Sequence, residues 1–170
     1  EGGTACAGCT PGYYCAEGAA AALPCPAGRR MDLSLPGRAA AADCIVCSNG
    51  TFCPVGSANA TLCAAGTYSA QAEQEACKKC GAGMFQEAEG GTACADCTPG
   101  YYCVEGAAAA LPCPAGRRMD LSLPVLTAAA DCLVCSNGTF CPVGSANATL
   151  CAAGTFSAEA EQEACGKCAA

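Results

Sequence analysis

Cysteine is the residue type with chemistry to explain in this chain, occupying 20 of 170 positions. Thiols at that density either pair as disulfides or hold metal. Six Cys-x-x-Cys pairs occur, Cys6/Cys9, Cys44/Cys47, Cys77/Cys80, Cys94/Cys97, Cys132/Cys135 and Cys165/Cys168. Two such pairs make a four-cysteine zinc site in many intracellular proteins. Eight further cysteines, at 15, 25, 53, 63, 103, 113, 141 and 151, fit no paired-ligand spacing, and the chain has no His to complete other sites. The two-residue gaps make better sense as junctions, the first Cys closing one loop and the second opening the next.

Two pairings are open. In a local pattern each loop carries its own bridge: Cys63 with Cys77 and Cys80 with Cys94 across 13-residue loops, Cys25 with Cys44, and Cys9 with Cys15 and Cys47 with Cys53 across tight turns at Pro11-Gly12 and Asn49-Gly50. The second half repeats it as Cys97 with Cys103, Cys113 with Cys132, Cys135 with Cys141 and Cys151 with Cys165. An interleaved pattern, Cys9–Cys25 with Cys15–Cys44 and Cys47–Cys63 with Cys53–Cys77, also satisfies the spacing. Under either, Cys6 and Cys168 are expected to have their partners in a longer array, of which residues 1–8 would be the end of a preceding module.

A second chemistry is carried by Asn49-Gly50-Thr51, Asn59-Ala60-Thr61, Asn137-Gly138-Thr139 and Asn147-Ala148-Thr149. Each is an N-glycan acceptor signal in a secreted chain. All four lie in Gly-, Ala- and Ser-rich stretches, and glycans are expected on most of them. Stable disulfides require an oxidising compartment, which points the same way, to the extracellular space or cell surface. No signal sequence follows Glu1, so one is expected to have been removed or to lie outside the chain.

Catalysis finds no support: there is no His for general-base work, no Cys expected to remain a thiolate and no Gly-rich loop opening a helix. Asp32, Asp43 and Asp96 are isolated and form no calcium loop. No metal or cofactor is expected. The net charge of −7 repels a phosphate backbone, so nucleic acid is not expected as a partner, and no segment is long and apolar enough to span a bilayer. Arg29-Arg30 and Arg117-Arg118 are read as solvated turns.

The elements that position these residues cannot rest on an ordinary core. Leaving aside 40 Ala and the cysteines, only 29 sizeable apolar residues remain among 21 Gly and 10 Pro. Chain ordering costs about 1–2 kcal/mol per residue, and a bridge closing a loop of about 15 residues offsets about 3 kcal/mol of it. Many short bridges therefore carry the fold.

The chain is also a repeat. Residues 1–82 align without gaps on 89–170, an offset of 88, with ten differences: Gly8/Asp96, Ala16/Val104, Gly37/Val125, Arg38/Leu126, Ala39/Thr127, Ile45/Leu133, Tyr68/Phe156, Gln71/Glu159, Lys78/Gly166 and Gly81/Ala169. Within each copy a Cys-x-x-Gly pattern recurs, which divides the chain into a first repeat at 9–96, with modules starting at 9, 25, 47, 63 and 80, and a truncated second repeat at 97–170, with modules starting at 97, 113, 135, 151 and 168. Five residues after the opening cysteines stand Tyr14, Arg30, Phe52, Tyr68 and Phe85. These rings are expected to cover the disulfide and separate modules, with a carbohydrate-binding role for Tyr13-Tyr14 and Tyr101-Tyr102 as the alternative. The Ala runs are too short to nucleate helix and are read as loops. The expected fold is a small disulfide-rich one, tandem short β-hairpin or loop modules stacked into an extended rod with little or no helix.

The segments CTPGYYC, LPCPAG, CSNGTFCPVGS and CAAGTYS resemble the ephrin-receptor-like cysteine-rich repeats of large extracellular proteins, which are distantly similar to tumour necrosis factor receptor modules. The resemblance implies a disulfide-laddered stalk, as in receptor ectodomains, surface proteins of protists and algae, and mastigonemes, and it implies no activity. The interleaved bridging follows the receptor-module analogy, the local one this chain's own repeats. Arg30 and Arg118 in the aromatic slot, and the long Cys25–Cys44 stretch, depart from the pattern. A structural array building a stalk, fibril or filament is the leading expectation, and a receptor-like or adhesive ectodomain the alternative.

Self-association or fibril partners are expected through the Cys25–Cys44 loop. Met31-Asp32-Leu33-Ser34-Leu35, and Met119, Leu121 and Leu123 in the second copy, alternate as a half-buried strand does. Their apolar face either meets a neighbouring chain or covers its own module.

Overall fold

The structure is a computed structural model that describes residues 8–35 and 37–169. Among the described residues it is built from two- and three-residue strands paired into two-stranded antiparallel sheets, with no α-helix and two 3-10 turns at Ala41–Asp43 and Ala129–Asp131. This is the expected small disulfide-rich fold of tandem hairpins. Cys6 and the rest of residues 1–7 lie outside the described residues.

One local rule generates every hairpin. The N–H of the residue four past the opening Cys donates to the carbonyl of the residue one past it: Tyr13 to Thr10, Arg29 to Pro26, Thr51 to Ser48, Met84 to Gly81, each at 3.1 Å. The Gly between them has a positive φ, from +75° to +87° at Gly12, Gly28, Gly50 and Gly83, while the residue before it does not. That is a type II turn, which needs φ > 0 at its third residue and so selects Gly.

The turn aims the next two residues at the end of the module. Tyr13–Tyr14 pairs with Leu23–Pro24, Arg29–Met31 with Cys44–Val46, Thr51–Phe52 with Thr61–Leu62, and Met84–Phe85 with Ala95–Asp96. The following Cys then donates its N–H back to the turn glycine, as Cys25 does to Gly12, Cys47 to Gly28 and Cys97 to Gly83, at 2.9 to 3.0 Å. Each hairpin therefore ends at the opening Cys of the next. The stretch between its strands is free to vary in length, which is how the long Cys25–Cys44 loop fits the same scheme.

The chain divides into two compact units, one reaching Lys78 and including Ala88–Ala93, the other comprising Lys79–Glu87 and the chain from Cys94. The sequence repeats 9–96 and 97–170 meet inside the second unit. There Gly83 donates to the Cys103 carbonyl and Gly106 to the Cys80 carbonyl, both at 2.8 Å, so hydrogen bonds cross the repeat boundary as they cross other module junctions.

Neighbouring modules within a unit join by backbone pairs of this kind. In the first, Gly28 donates to Cys53 and Gly56 returns a bond to Cys25, both at 2.8 Å. In the second, Gly116 donates to Cys141 and Gly144 to Cys113, at 2.8 and 2.9 Å. Single parallel bridges, Arg30 to Ser57, Phe85 to Ala107 and Arg118 to Ser145, add to them. The bridge is backbone only, so Arg30 and Arg118 occupy the aromatic slot without changing its geometry.

The interior is largely sulfur. Cys25, Cys44, Cys53, Cys63, Cys80, Cys103, Cys113, Cys135 and Cys141 are wholly buried. Around Cys25–Cys44 the filler is Met31, with Tyr14 packed against it; around Cys113–Cys132 it is Leu126, with Tyr102 and Met119 against it. The exchange follows from the sequence difference: Arg38 cannot fill the space that Leu126 takes, so Met31 turns fully inward while Met119 stays partly buried. Tyr14 and Tyr102 thus cover the disulfide of the following module.

Candidate functional site

The structure bridges Cys9–Cys15, Cys25–Cys44, Cys47–Cys53, Cys63–Cys77, Cys80–Cys94, Cys97–Cys103, Cys113–Cys132, Cys135–Cys141 and Cys151–Cys165, with Cα atoms 5.7 to 6.4 Å apart. This is the local arrangement, not the interleaved one. Cys9 and Cys15, like Cys47 and Cys53, flank one type II turn with Cα atoms 6.0 and 6.4 Å apart, while strand pairing returns Cys44 to its own loop's Cys25. In Cys44/Cys47, Cys77/Cys80, Cys94/Cys97 and Cys132/Cys135 the two sulfurs belong to different bridges, which removes the thiolates a zinc site needs. Cys168 is unpaired and exposed. Among the described residues no three Cys, Asp or Glu side chains gather as a metal site.

All four sequon asparagines are exposed. They are not equivalent. Asn49 and Asn137 occupy the second position of the type II turn, and their Nδ2 atoms donate across to the next module, to the Ala70 carbonyl at 3.0 Å and the Ala158 carbonyl at 2.8 Å. Among the described residues no amide bond of that kind holds Asn59 or Asn147. Beside each anchored asparagine lies a cleft, lined in the first copy by Tyr68, Ser69, Ala70, Gln71, Gln74 and Lys78, and in the second by Phe156, Ser157, Ala158, Glu159, Gln162 and Gly166. Their volumes are about 150 and 270 Å³.

The first arginine of each doublet is not merely solvated. Arg29 Nε donates to Glu73 Oε1 at 2.6 Å and Nη1 to the Cys44 carbonyl at 3.1 Å; Arg117 does the same with Glu161 and Cys132, at 2.6 and 3.2 Å. Glu73 and Glu161 hold φ of +64° and +63°, the non-glycine positive values among the described residues. The signal was in the sequence: Gly90 stands ten residues past its opening Cys, as Glu73 does, and donates to the preceding Cys63 as Glu73 does to Cys47, at 2.7 and 2.9 Å.

The Asp residues serve turns. Asp32 Oδ1 accepts from the Ser34 N–H and hydroxyl at 3.0 and 2.6 Å, and Asp120 accepts likewise from Ser122. Asp131 Oδ2 accepts from the N–H groups of Thr127 and Ala128 and from the Thr127 hydroxyl. These bonds favour the ionised form and hold all three carboxyls below the usual carboxylate range, led by the Ser34 and Ser122 hydroxyls at Asp32 and Asp120 and by the Thr127 N–H at Asp131.

The Asp32 turn also corrects the expected assembly strand. The strand ends at Met31, because capture of Ser34 by Asp32 closes a turn over the next residues. Met31 is wholly buried and Met119 partly so, each packed in its own module. Leu33, Leu121 and Leu123 are exposed, at 47%, 66% and 37%, and Leu35 is half-buried.

Residues 50–97 match the family described as tyrosine-protein kinase ephrin type A/B receptor-like. The match runs from the turn glycine of one module through Cys97, and residues 138–170 repeat its first part at the offset of 88. This stretch is thus similar to ephrin-receptor-like cysteine-rich repeats. No curated protein matches the chain. No helix among the described residues is long and apolar enough to cross a membrane.

Proposed function

We propose that this chain is a segment of an extracellular structural glycoprotein, an array that builds a stalk, fibril or filament and catalyses nothing. The observation that carries the reading is the uniformity of the module junction. The same turn glycine, returned hydrogen bond and local disulfide recur through both copies, and the ten differences between copies leave the pattern intact. Such a design suits a load-bearing repeat, each module stabilised by its neighbours. A receptor diversifies its modules to make one binding site.

N-glycans on Asn49, Asn59, Asn137 and Asn147 belong to this reading, as do partners that are copies of the same chain. With Met31 and Met119 inside their modules, Leu33, Leu35, Leu121 and Leu123 are the residues left to make a lateral contact. The test is the native protein recovered from the extracellular fraction without reductant. Electron microscopy and sedimentation should find it in polymers, whereas recovery as a single receptor chain bound to a different protein would overturn the reading. The receptor-like alternative is favoured by the family match alone, and a specific protein ligand captured on this segment would establish it.

A further inference from the structure

The clefts beside Asn49 and Asn137 are the same feature made twice and then altered. Three of the ten differences between the copies, Tyr68/Phe156, Gln71/Glu159 and Lys78/Gly166, fall on its lining. The first cleft carries a lysine; the second carries a glutamate instead. Each combines an aromatic ring with amide and charged groups, the combination that grips a sugar, whose ring C–H face is apolar and whose edge is hydroxyl. The first has about the volume that accepts a single six-membered ring.

The occupant follows from Asn49. In N-glycosylation one Nδ2–H bond is replaced by a bond to sugar C1; the activating diphosphate of the oligosaccharide donor leaves and the amide proton is released. One N–H remains. In the structure Asn49 Nδ2 lies 3.0 Å from the carbonyl of Ala70, itself a lining residue. A sugar bonded to that nitrogen is therefore held at the mouth of the cleft while the remaining N–H keeps its bond to Ala70, and Asn137 stands in the same relation to Ala158.

We infer that the clefts are seats for the first sugar of the chain's own N-glycans at Asn49 and Asn137, while sugars on Asn59 and Asn147 stand free in solvent. The inference rests on the glycoprotein reading above. It assigns two sites a seated glycan, clamped across a module junction, and two an unseated one.

The experiment uses the whole chain, secreted by a host that adds N-glycans. An amidase specific for N-glycans converts each glycosylated Asn to Asp, and peptide mass spectrometry times the conversion on folded and on reduced, denatured protein. In folded protein Asn49 and Asn137 should convert at least about tenfold more slowly than Asn59 and Asn147, a factor that disappears on denaturation. Asn49 should be the slower of the pair, its cleft carrying the Lys78 side chain where the other has Gly166. Glycan on Asn49 released as fast as that on Asn59 overturns the seat and leaves the glycoprotein reading standing. Asn49 unmodified in denatured protein overturns the seat and, if Asn59 and Asn147 are also unmodified, the glycoprotein reading with it. The triple variant Tyr68→Phe, Gln71→Glu, Lys78→Gly carries the residues that the second copy already folds with; it should bring the Asn49 rate to that of Asn137. Tyr68→Ala should raise it toward that of Asn59, and an unchanged rate in both variants sinks the proposal.

Discussion

The carbonyl of Glu73 sits where a Cβ on Gly28 would have to be, and Glu161 stands in the same relation to Gly116. These residues are two modules apart, so the close approach locks the spacing of alternate hairpins. Gly12 meets Gly56 and Gly50 meets Gly90 in the same way. The turn glycine thus has two jobs, a positive φ and an absent side chain. Gly56, at φ +78°, needs only the first: a Cβ there would stand 3.4 Å from the Tyr13 hydroxyl and 3.6 Å from the Pro24 Cβ, ordinary contact. Gly56→Ala should cost about 1 kcal/mol for the backbone alone. Gly50→Ala should cost roughly twice that or more, read by denaturant unfolding of the oxidised protein. Equal costs would show that the close approach is not what the glycine serves.

Removing the ion pair should matter much less. Arg29 and Glu73 are about a third and a half exposed, so Glu73→Gln should cost under about 1 kcal/mol and less in high salt. A larger loss would mean that the positive φ at Glu73 depends on the pair.

The inward and outward apolar residues make a paired prediction. Met31→Ala and Leu126→Ala should each destabilise by about 2–5 kcal/mol, because each fills a sulfur-walled core with little else to collapse into the space. Leu33→Ser and Leu121→Ser should stay within about 0.5 kcal/mol in stability while altering assembly, if the exposed leucines meet another chain. Thermal melts and sedimentation on the same variants separate the two effects.

Acid should act at the Asp turns. Since the folded carboxyl of Asp131 is held below its ordinary value, its contribution is fully present above the ordinary carboxylate range and is lost as pH falls through the lowered folded value. Thr127→Ala removes the hydroxyl bond and should move Asp131 upward toward the ordinary value in a carbon-detected titration. No movement would mean the backbone N–H groups alone set it.

Non-reducing peptide maps should show the nine local pairs and no peptide joining Cys15 to Cys44 or Cys53 to Cys77. Opening Cys25–Cys44 by double substitution with Ser should cost about 2–5 kcal/mol. A reduced chain that kept its hairpins would contradict the dependence of the fold on sulfur.

Composition and spacing alone determined that disulfides must replace a core, that the modules begin at each Cys-x-x-Gly and that tight turns and hairpins fill them. These are local properties, because a glycine at a fixed distance from a cysteine needs only its own neighbours to form a turn. What tertiary structure decided was the partner of each group. Spacing allowed Cys9 either Cys15 or Cys25; the turn that brings Cys15 back beside Cys9, and the burial of Cys25 with Cys44 and Met31 in the next module, chose between them. Arg29 and Glu73 lie 44 residues apart, and their contact exists because hairpins two modules apart come within side-chain reach. The alternation from Met31 to Leu35 suggested a strand with one sticky face, and it failed because Asp32 found Ser34 before the strand could continue, leaving Met31 inside and Leu33 out.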